Sequence, residues 1–247
     1  MAGFGRLMWR PLAVALALLT RWPVKVAASG DASESGRSAL WYPAVGLLIG
    51  LVLAGICLVS RSAPATVGGA LALVAWCLMT GGLHLDGLSD SADAFIGSHG
   101  DPSRALRIMK DAAAGPMGVV AVCVLLIVKF SALAALSDTQ EWMPIVLAPV
   151  LGRAAVVALL LDTPYVRPGG IGETIAEHLP RGPARLVLTG VLAATVVAGG
   201  VAIVIGAGLA FLVLRRLMLR TIGGATGDTA GALVEVTEAA VLVAATF

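Results

Sequence analysis

The sequence predicts an all-α integral membrane protein that crosses the bilayer about seven times. Of its 247 residues, 58% are hydrophobic and only 13% are charged, and the mean hydropathy is +0.94. A soluble domain carries about 25% charged residues, so a soluble fold is excluded. The apolar runs are also too long and continuous for the alternating strands of a membrane β-barrel. We expect a single membrane domain over residues 1–247.

The first 39 residues are predicted to lie at the membrane interface. The apolar run 11–20 has only ten residues, and Arg21, Trp22 and Pro23 follow it directly. Because a clean cleavage site is missing, the pattern favours an interfacial helix over a cleaved signal peptide. The polar segment 28–38 is predicted to be a flexible loop.

The membrane spans follow from the length of the apolar runs. A bilayer core about 30 Å thick requires about 20 apolar residues in a helix. The run 186–214 has 29 residues without a charge, and as one helix it would be about 44 Å long. It gives two helices if it breaks at Gly199-Gly200 or near Gly206 and Gly208. The other predicted spans are 40–60, 65–85, 117–136, 143–161 and 229–247.

The distribution of basic residues predicts the orientation. The positive-inside rule places the N-terminus in the cytoplasm, because four basic residues precede the first span: Arg6, Arg10, Arg21 and Lys25. The loops 86–116 and 162–185 are then cytoplasmic and carry most of the other basic residues. A basic group at 215–220 reaches the same side only if 186–214 crosses twice. We therefore expect seven spans, or six if 186–214 crosses once.

Three acids lie close together after the second span. If the helix continues past Leu85, Asp86, Asp90 and Asp93 fall within about 60° of one another at about 100° per residue. Like charges stacked on one face repel, so the cluster favours a bound cation. Carboxylates are typical ligands of Mg²⁺, and no His or Cys is placed to select zinc. The alternative is a solvated acidic helix end.

Basic residues follow in the same loop. Asp101 before Pro102 is typical of a helix start. Arg104, Arg107 and Lys110 then share one helical stripe suited to phosphate oxygens, with Asp111 beside it and the helix ending near Gly115-Pro116. The alternatives are contact with lipid headgroups and simple positive-inside bias.

Four charges lie inside the predicted spans, where a charged side chain costs about 2.5–3.5 kcal/mol. Snorkelling toward the interface explains Lys129. Arg153 follows Gly152, which favours a buried arginine paired with an acid or a phosphate. Glu235 and Glu238 need partners, and Arg153, Lys129 or a metal could supply them.

A glycine-rich turn precedes the last predicted span. Such a turn opening a helix exposes backbone N–H groups that can bind phosphate. Asp228 ends the turn and shares a helix face with Glu235, seven residues later. The candidate phosphate-binding residues of the turn are Gly223, Gly224, Thr226 and Gly227.

Five segments together resemble the cobalamin synthase family, the adenosylcobinamide-GDP ribazoletransferases. The most specific segment has the pattern HxDGxxDxxD from His84 to Asp93. The resemblance runs in order from about residue 20 to the C-terminus. Position 85 is Leu where many relatives have Glu, and Ala112-Ala113 replace residues that are often polar and basic. The matching segments are 81–93, 107–118, 152–153, 165–170 and 223–238.

The resemblance implies an integral enzyme of the bacterial inner membrane. The charge-based topology places the loops that carry these segments, and therefore the active site, on the cytoplasmic side. The enzyme would use Mg²⁺ to join adenosylcobinamide-GDP to α-ribazole or its 5′-phosphate, releasing GMP. Metal ligands would be Asp86, Asp90, Asp93 and Asp228. One acid of the triad or Asp111 would accept the hydroxyl proton. Phosphates and substrates would be bound by Lys110, Arg104, Arg107, Arg153, Arg167, the glycine-rich turn, Glu235 and Glu238.

The expected partners are these substrates and the lipid bilayer, with no nucleic acid. A homo-oligomer or an association with other cobalamin-assembly enzymes is compatible with the sequence. One alternative function is that of a CDP-alcohol phosphotransferase, but the Ala-Arg pair and later acid spacing of that motif are missing. Another is a transporter, although transporters tend to contain repeated halves and none is visible here.

Overall fold

The computed structural model describes residues 2–24 and 31–247, with side chains from residue 9 onward. No β-strand occurs in these two ranges, which form helices joined by short turns. Lys25, the side chain of Arg6 and residues 28–30 of the predicted loop lie outside the described residues. The helices are α1 (Ala2–Leu19), α2 (Ala32–Ser38), α3 (Tyr42–Val59), α4 (Ala65–Thr80), α5 (Leu83–Gly97), α6 (Pro102–Ile108), α7 (Pro116–Asp138), α8 (Trp142–Asp162), α9 (Ile171–His178), α10 (Arg181–Gly199), α11 (Val201–Ile222) and α12 (Gly227–Ala244).

The fold confirms an all-α, multi-pass membrane protein. Five helical segments in the described chain are long and apolar enough to cross a bilayer: Ala32–Val59, α7, α8, α10 and α11. The pair α4 and α5 is a sixth candidate, although the two helices are bent by 86°. The 18 residues of α12 include three acids, so its crossing, and with it the count of seven, stays a prediction.

The long apolar run 186–214 is broken, as one of the two sequence-based alternatives requires. Helix α10 ends at Gly199 and α11 begins at Val201. Gly200 between them has a φ of +84°, a conformation that favours glycine. Each of the two helices is separately long enough to cross the membrane.

Helix α8 lies at the centre of the bundle, and 94% of its most apolar stretch is buried. Its most extensive neighbour is α3, where Gly46 and Gly50 face it. A Cβ at these positions would lie 2.4 Å from the Pro149 carbonyl oxygen and 2.3 Å from that of Val146. Two glycines four residues apart thus let the helix backbones touch, as is common in membrane bundles.

The predicted span 65–85 is not one continuous helix, because α4 ends at Thr80 and α5 begins at Leu83. Gly81 and Gly82 both have positive φ, +63° and +70°, and they end α4 and turn the chain into α5. The acid triad nevertheless lies within one helix, because Asp86, Asp90 and Asp93 all belong to α5.

Gly82→Ala is expected to destabilise the protein by about 1–2 kcal/mol, since a left-handed backbone costs that much for a residue with a Cβ. The open space around the Gly82 Cβ position leaves backbone strain as the only cause. The matched control is Gly208→Ala, a helical glycine also with open space, which should gain about 0.5–1 kcal/mol. Thermal unfolding in detergent should therefore shift in opposite directions, and a shared direction would refute this account.

Part of the segment 28–38, predicted to be a flexible loop, is helical. Residues 32–38 form α2 instead of a flexible loop, because Asp31 caps the helix and accepts a hydrogen bond from the Ser33 backbone N–H. Helix α2 packs directly on α9, where a Cβ on Gly36 would lie 2.1 Å from the His178 carbonyl oxygen. This contact brings α9 beside the cavity described below.

Candidate active site

A cavity of about 520 Å³ lies where α1, α3, α5, α8, α9 and α12 meet. Most of its wall is apolar. Its charged residues, Asp86, Arg167 and Asp228, come from three separate parts of the chain. Arg167 donates a hydrogen bond to the Asp228 carboxylate at 2.7 Å. A close contact between helices places Asp86 nearby, since a Cβ on Gly87 would lie 2.5 Å from the Asp228 carbonyl oxygen.

The glycine-rich turn positions Asp228. The Val166 N–H donates to the Ala225 carbonyl at 2.9 Å, and the Ala225 N–H donates to the Pro164 carbonyl at 2.8 Å. These bonds join the turn to the loop that carries Arg167. Gly224 must be glycine, because a Cβ would lie 2.3 Å from the Pro164 carbonyl oxygen.

The turn therefore mainly packs against the loop that carries Arg167. The predicted phosphate-binding turn is only partly open to a ligand. Gly223 ends α11 with a φ of +76°. The Thr226 side chain accepts from the Thr229 N–H in a buried capping box. Of the predicted residues, Gly227 lines the large cavity and Thr226 lines a smaller one.

Asp93 is held by the backbone of another helix. Its carboxylate accepts hydrogen bonds from the N–H groups of Gly115 (2.8 Å), Met117 (3.1 Å) and Gly118 (2.9 Å). Asp93 thus caps the N-terminus of α7 and is less free for a metal than predicted. This partner is not predictable from local sequence, because it lies more than 20 residues further along the chain.

Asp93→Asn should lower stability by about 1–2 kcal/mol, because an amide nitrogen cannot accept a hydrogen bond and leaves one of these N–H groups unpaired. Asp90→Asn is the matched control on the same helix and should leave the melting temperature in detergent nearly unchanged. Equal melting temperatures for the two variants would contradict the capping role.

The remaining acids form a loose cluster. Asp90 lies partly buried within electrostatic range of three other acids, Asp86, Asp228 and Asp93, and Arg167 supplies an opposite charge. Within residues 2–24 and 31–247, no three acidic, His or Cys side chains stand close enough together to form a ready-made metal site. The predicted metal site of four acids is therefore not preassembled. The donors that stay available, Asp86, Asp90 and Asp228, have the oxygen chemistry that suits Mg²⁺.

The basic residues divide into two groups. Arg167 and Lys110 both line a small cavity of about 70 Å³, and Asp228 lies on its wall too. Arg104 and Arg107 are exposed on α6, where Arg107 donates to the Ser103 hydroxyl at 3.2 Å. The structure thus brings Lys110, but neither of these arginines, to the Arg167–Asp228 pair.

The predicted helical stripe of basic residues is wrong, because α6 ends at Ile108 and Met109 caps it. Lys110 and Asp111 lie in the following turn, well before Pro116 begins α7. The exposed Asp111 carboxylate accepts from the Ala113 N–H at 3.1 Å, which stabilises the turn locally.

The charges inside the spans pair with one another. Lys129 Nζ lies 2.6 Å from Glu235 and also contacts Glu238, which in turn contacts Arg153. Lys129 also lies 4.2 Å from the centre of the Trp76 ring. Of the partners that the sequence left open for the two glutamates, the structure shows Lys129 for Glu235, and Lys129 and Arg153 for Glu238. The predicted snorkelling of Lys129 is wrong, because its side chain is only 2% exposed.

This buried network does not place Arg153, Glu235 or Glu238 on the cavity wall, where substrate binding would require them. It touches the cavity indirectly, because an Arg153 guanidinium nitrogen lies 3.5 Å from Nδ1 of His84 and His84 lines the cavity. The structure therefore places these three residues behind the candidate site.

Two cavity residues, His84 and Tyr165, were not assigned roles from the sequence. Both lie in the segments that carry the family resemblance, which was the available signal. Tyr165 packs against Gly172, where a Cβ would lie 2.6 Å from the phenol. Burial raises the pKa of Tyr165 above its usual value of 10.0, so the phenol keeps its proton at neutral pH and can donate a hydrogen bond.

Comparison with known proteins gives a consistent answer. A family model described as cobalamin-5-phosphate synthase matches residues 11–246. An adenosylcobinamide-GDP ribazoletransferase of Pseudomonas savastanoi pv. phaseolicola is 47% identical over 94% of this chain and 97% of its own length. Proteins of the same name from Pseudomonas syringae pv. syringae and Stutzerimonas stutzeri are 48% and 49% identical over 94% of this chain, covering 97% and 96% of their own lengths. No solved structure matches. The chain belongs to the cobalamin-5-phosphate synthase family.

Proposed function

We propose that the protein transfers the cobinamide phosphoryl group of adenosylcobinamide-GDP to a free ribose hydroxyl of α-ribazole or its 5′-phosphate. The products are adenosylcobalamin or its phosphate, together with GMP. The observation that carries this proposal is the Asp86–Asp228–Arg167 cluster on the cavity wall, in a chain whose relatives bear the name of this enzyme.

The reaction needs one bond to form and one to break. A ribose hydroxyl oxygen of the acceptor, one that is free in both α-ribazole and its 5′-phosphate, bonds to the phosphorus attached to cobinamide, and the bond from that phosphorus to the GMP oxygen breaks. The hydroxyl proton passes to a carboxylate. Asp86 suits this role better than Asp111, because Asp86 is exposed on the cavity wall whereas Asp111 stabilises a turn beyond α6.

Phosphoryl transfer depends mainly on positioning and on neutralising charge. Arg167 and Lys110 can contact the phosphates from the small cavity, while the Asp228 carboxylate holds the Arg167 guanidinium in place. Asp86, Asp90 and Asp228 would hold Mg²⁺, which typically takes one or two carboxylates and completes its shell with water and substrate phosphates. The bound ion would withdraw charge from the pyrophosphate.

The test uses the purified full chain in liposomes with adenosylcobinamide-GDP, α-ribazole and Mg²⁺. Mass spectrometry should detect GMP and adenosylcobalamin in equal amounts, and both should disappear when Mg²⁺ is chelated. Neither product from this chain, while the Pseudomonas syringae relative makes both in parallel, would refute the proposal. Full activity after chelation would refute the metal requirement alone.

We further propose that the protein lies in a bacterial inner membrane with this site facing the cytoplasm. The basic loops around Lys110 and Arg167 support this through the positive-inside rule. Alkaline phosphatase fused after Asp138 should be active in cells, whereas a fusion after Arg220 should be silent. The opposite pattern would reverse the orientation.

A further inference from the structure

The large cavity has an amphiphilic wall. Its apolar part comes from several helices, with Leu19 on α1, Val156 and Leu160 on α8, Ile175 on α9 and Val234 on α12. Two aromatic rings, Tyr42 and Tyr165, also face it. Such a wall favours a flat, largely apolar group, since aromatic rings prefer offset or edge-to-face contact with other rings.

The cluster of charged residues lies on the wall of the same cavity. A ligand whose apolar group fills the cavity would direct its reactive group toward this cluster. Asp86, Arg167 and Asp228 line the large cavity, and Arg167 and Asp228 also line the small one beside Lys110. The Arg167–Asp228 pair therefore separates an apolar compartment from a basic one. A transfer reaction requires its two substrates to meet at one point from different directions.

The two substrates of the proposed reaction differ greatly in size and chemistry. The acceptor is a nucleoside with an aromatic base and one reacting hydroxyl. The donor carries a corrin ring with many polar amides, and it is several times larger than the acceptor. Pockets of about 300–1,000 Å³ suit small ligands, so a cavity of about 520 Å³ suits the nucleoside and is too small for the corrin.

We propose that the large cavity is the acceptor site, which takes the aromatic base of α-ribazole and directs the reacting ribose hydroxyl at Asp86. The corrin and the GDP of the donor stay outside, with the pyrophosphate reaching the cluster from the Lys110 side. This inference rests on the proposed function. It also gives the membrane bundle a role in catalysis, because the apolar interior between helices forms the acceptor pocket.

The test is a pair of alanine substitutions. Ala230 on α12 lines the large cavity, whereas Ala176 on α9 lines a neighbouring polar cavity that shares Leu160 and Tyr165 with it but not the charged cluster. Both alanines are half-buried and pack against the same hydrophobic core, so Ala→Phe has a similar structural cost at each. Ala230→Phe should raise the KM for α-ribazole at least tenfold and leave the KM for adenosylcobinamide-GDP within twofold. Ala176→Phe should leave both KM values within twofold of the wild type.

The outcomes separate this inference from the proposed function. An inactive wild type would refute the function, whereas an active wild type with an unchanged ribazole KM in Ala230→Phe would refute only the acceptor site. A rise in the KM for the corrin substrate would also overturn it. If Ala230→Phe does not fold, Val156→Ala should lower the KM for a ribazole with a bulkier base relative to the wild type, and no change would overturn the inference. A tightly held lipid that native mass spectrometry detects and α-ribazole does not displace would overturn it too.

Discussion

Asp86→Asn is expected to lower turnover by about 100- to 1,000-fold, the usual cost of removing one electrostatic contact to a reacting centre. Its carboxylate is exposed on the cavity wall, next to the Arg167–Asp228 pair. Because it makes no backbone hydrogen bonds like those of Asp93, its loss should leave the melting temperature unchanged. Product formation by mass spectrometry, measured beside the melting temperature, checks both parts.

Asp138→Asn is the matched control for this substitution. Asp138 is an exposed acid at the far end of α7, so the variant should retain wild-type turnover. Near-normal activity of Asp86→Asn would remove Asp86 from the site. A Mg²⁺ titration then distinguishes its two possible roles. A metal ligand should require more Mg²⁺ for half-maximal activity, whereas a proton acceptor should change the pH profile instead.

The sequence predicts those features of this protein that depend on one stretch of chain. Composition and run length identify the membrane helices, and helical spacing places Asp86, Asp90 and Asp93 in one helix. The division of the run 186–214 into two helices is predictable, because 29 apolar residues exceed the thickness of the bilayer core and two crossings place the basic group at 215–220 on the same side as the other basic loops. The sequence left the position of the break open between Gly199-Gly200 and Gly206 to Gly208. Each of these inferences needs only local geometry and the properties of the bilayer.

The features that the sequence does not predict depend on partners distant in the chain. The spacing of the acids suggests that Asp93 is a metal ligand, but in the structure its carboxylate caps the N-terminus of α7. The hydropathy pattern does not predict the bend at Gly81-Gly82, because the uncharged run extends through it to residue 85. The early end of α6 separates Lys110 from Arg104 and Arg107, yet it brings Lys110 beside Arg167. Tertiary packing decides all three.

Removing Lys129 should cost about 3–5 kcal/mol of stability, the usual result of leaving one side of a buried ion pair without its partner. In Lys129→Met, Glu235 and Glu238 would face only Arg153 inside the bundle. Unfolding in mixed detergent and SDS should report the loss. Arg216→Gln, which changes an exposed arginine on α11, is the control and should stay within about 0.5 kcal/mol of the wild type.

A second substitution should recover part of this loss. Lys129→Met/Glu235→Gln removes one charge of each sign and keeps the contact between Arg153 and Glu238, so the network remains neutral. Groups in one network typically couple by about 0.5–3 kcal/mol, and we expect the double variant to be more stable than Lys129→Met alone. Simple addition of the two single effects would show that the four charges act independently. Coupling would instead mean that the four side chains stabilise the packing of α7, α8 and α12 as one electrically neutral network. Removing any single charge from that network would then lower the free energy of unfolding.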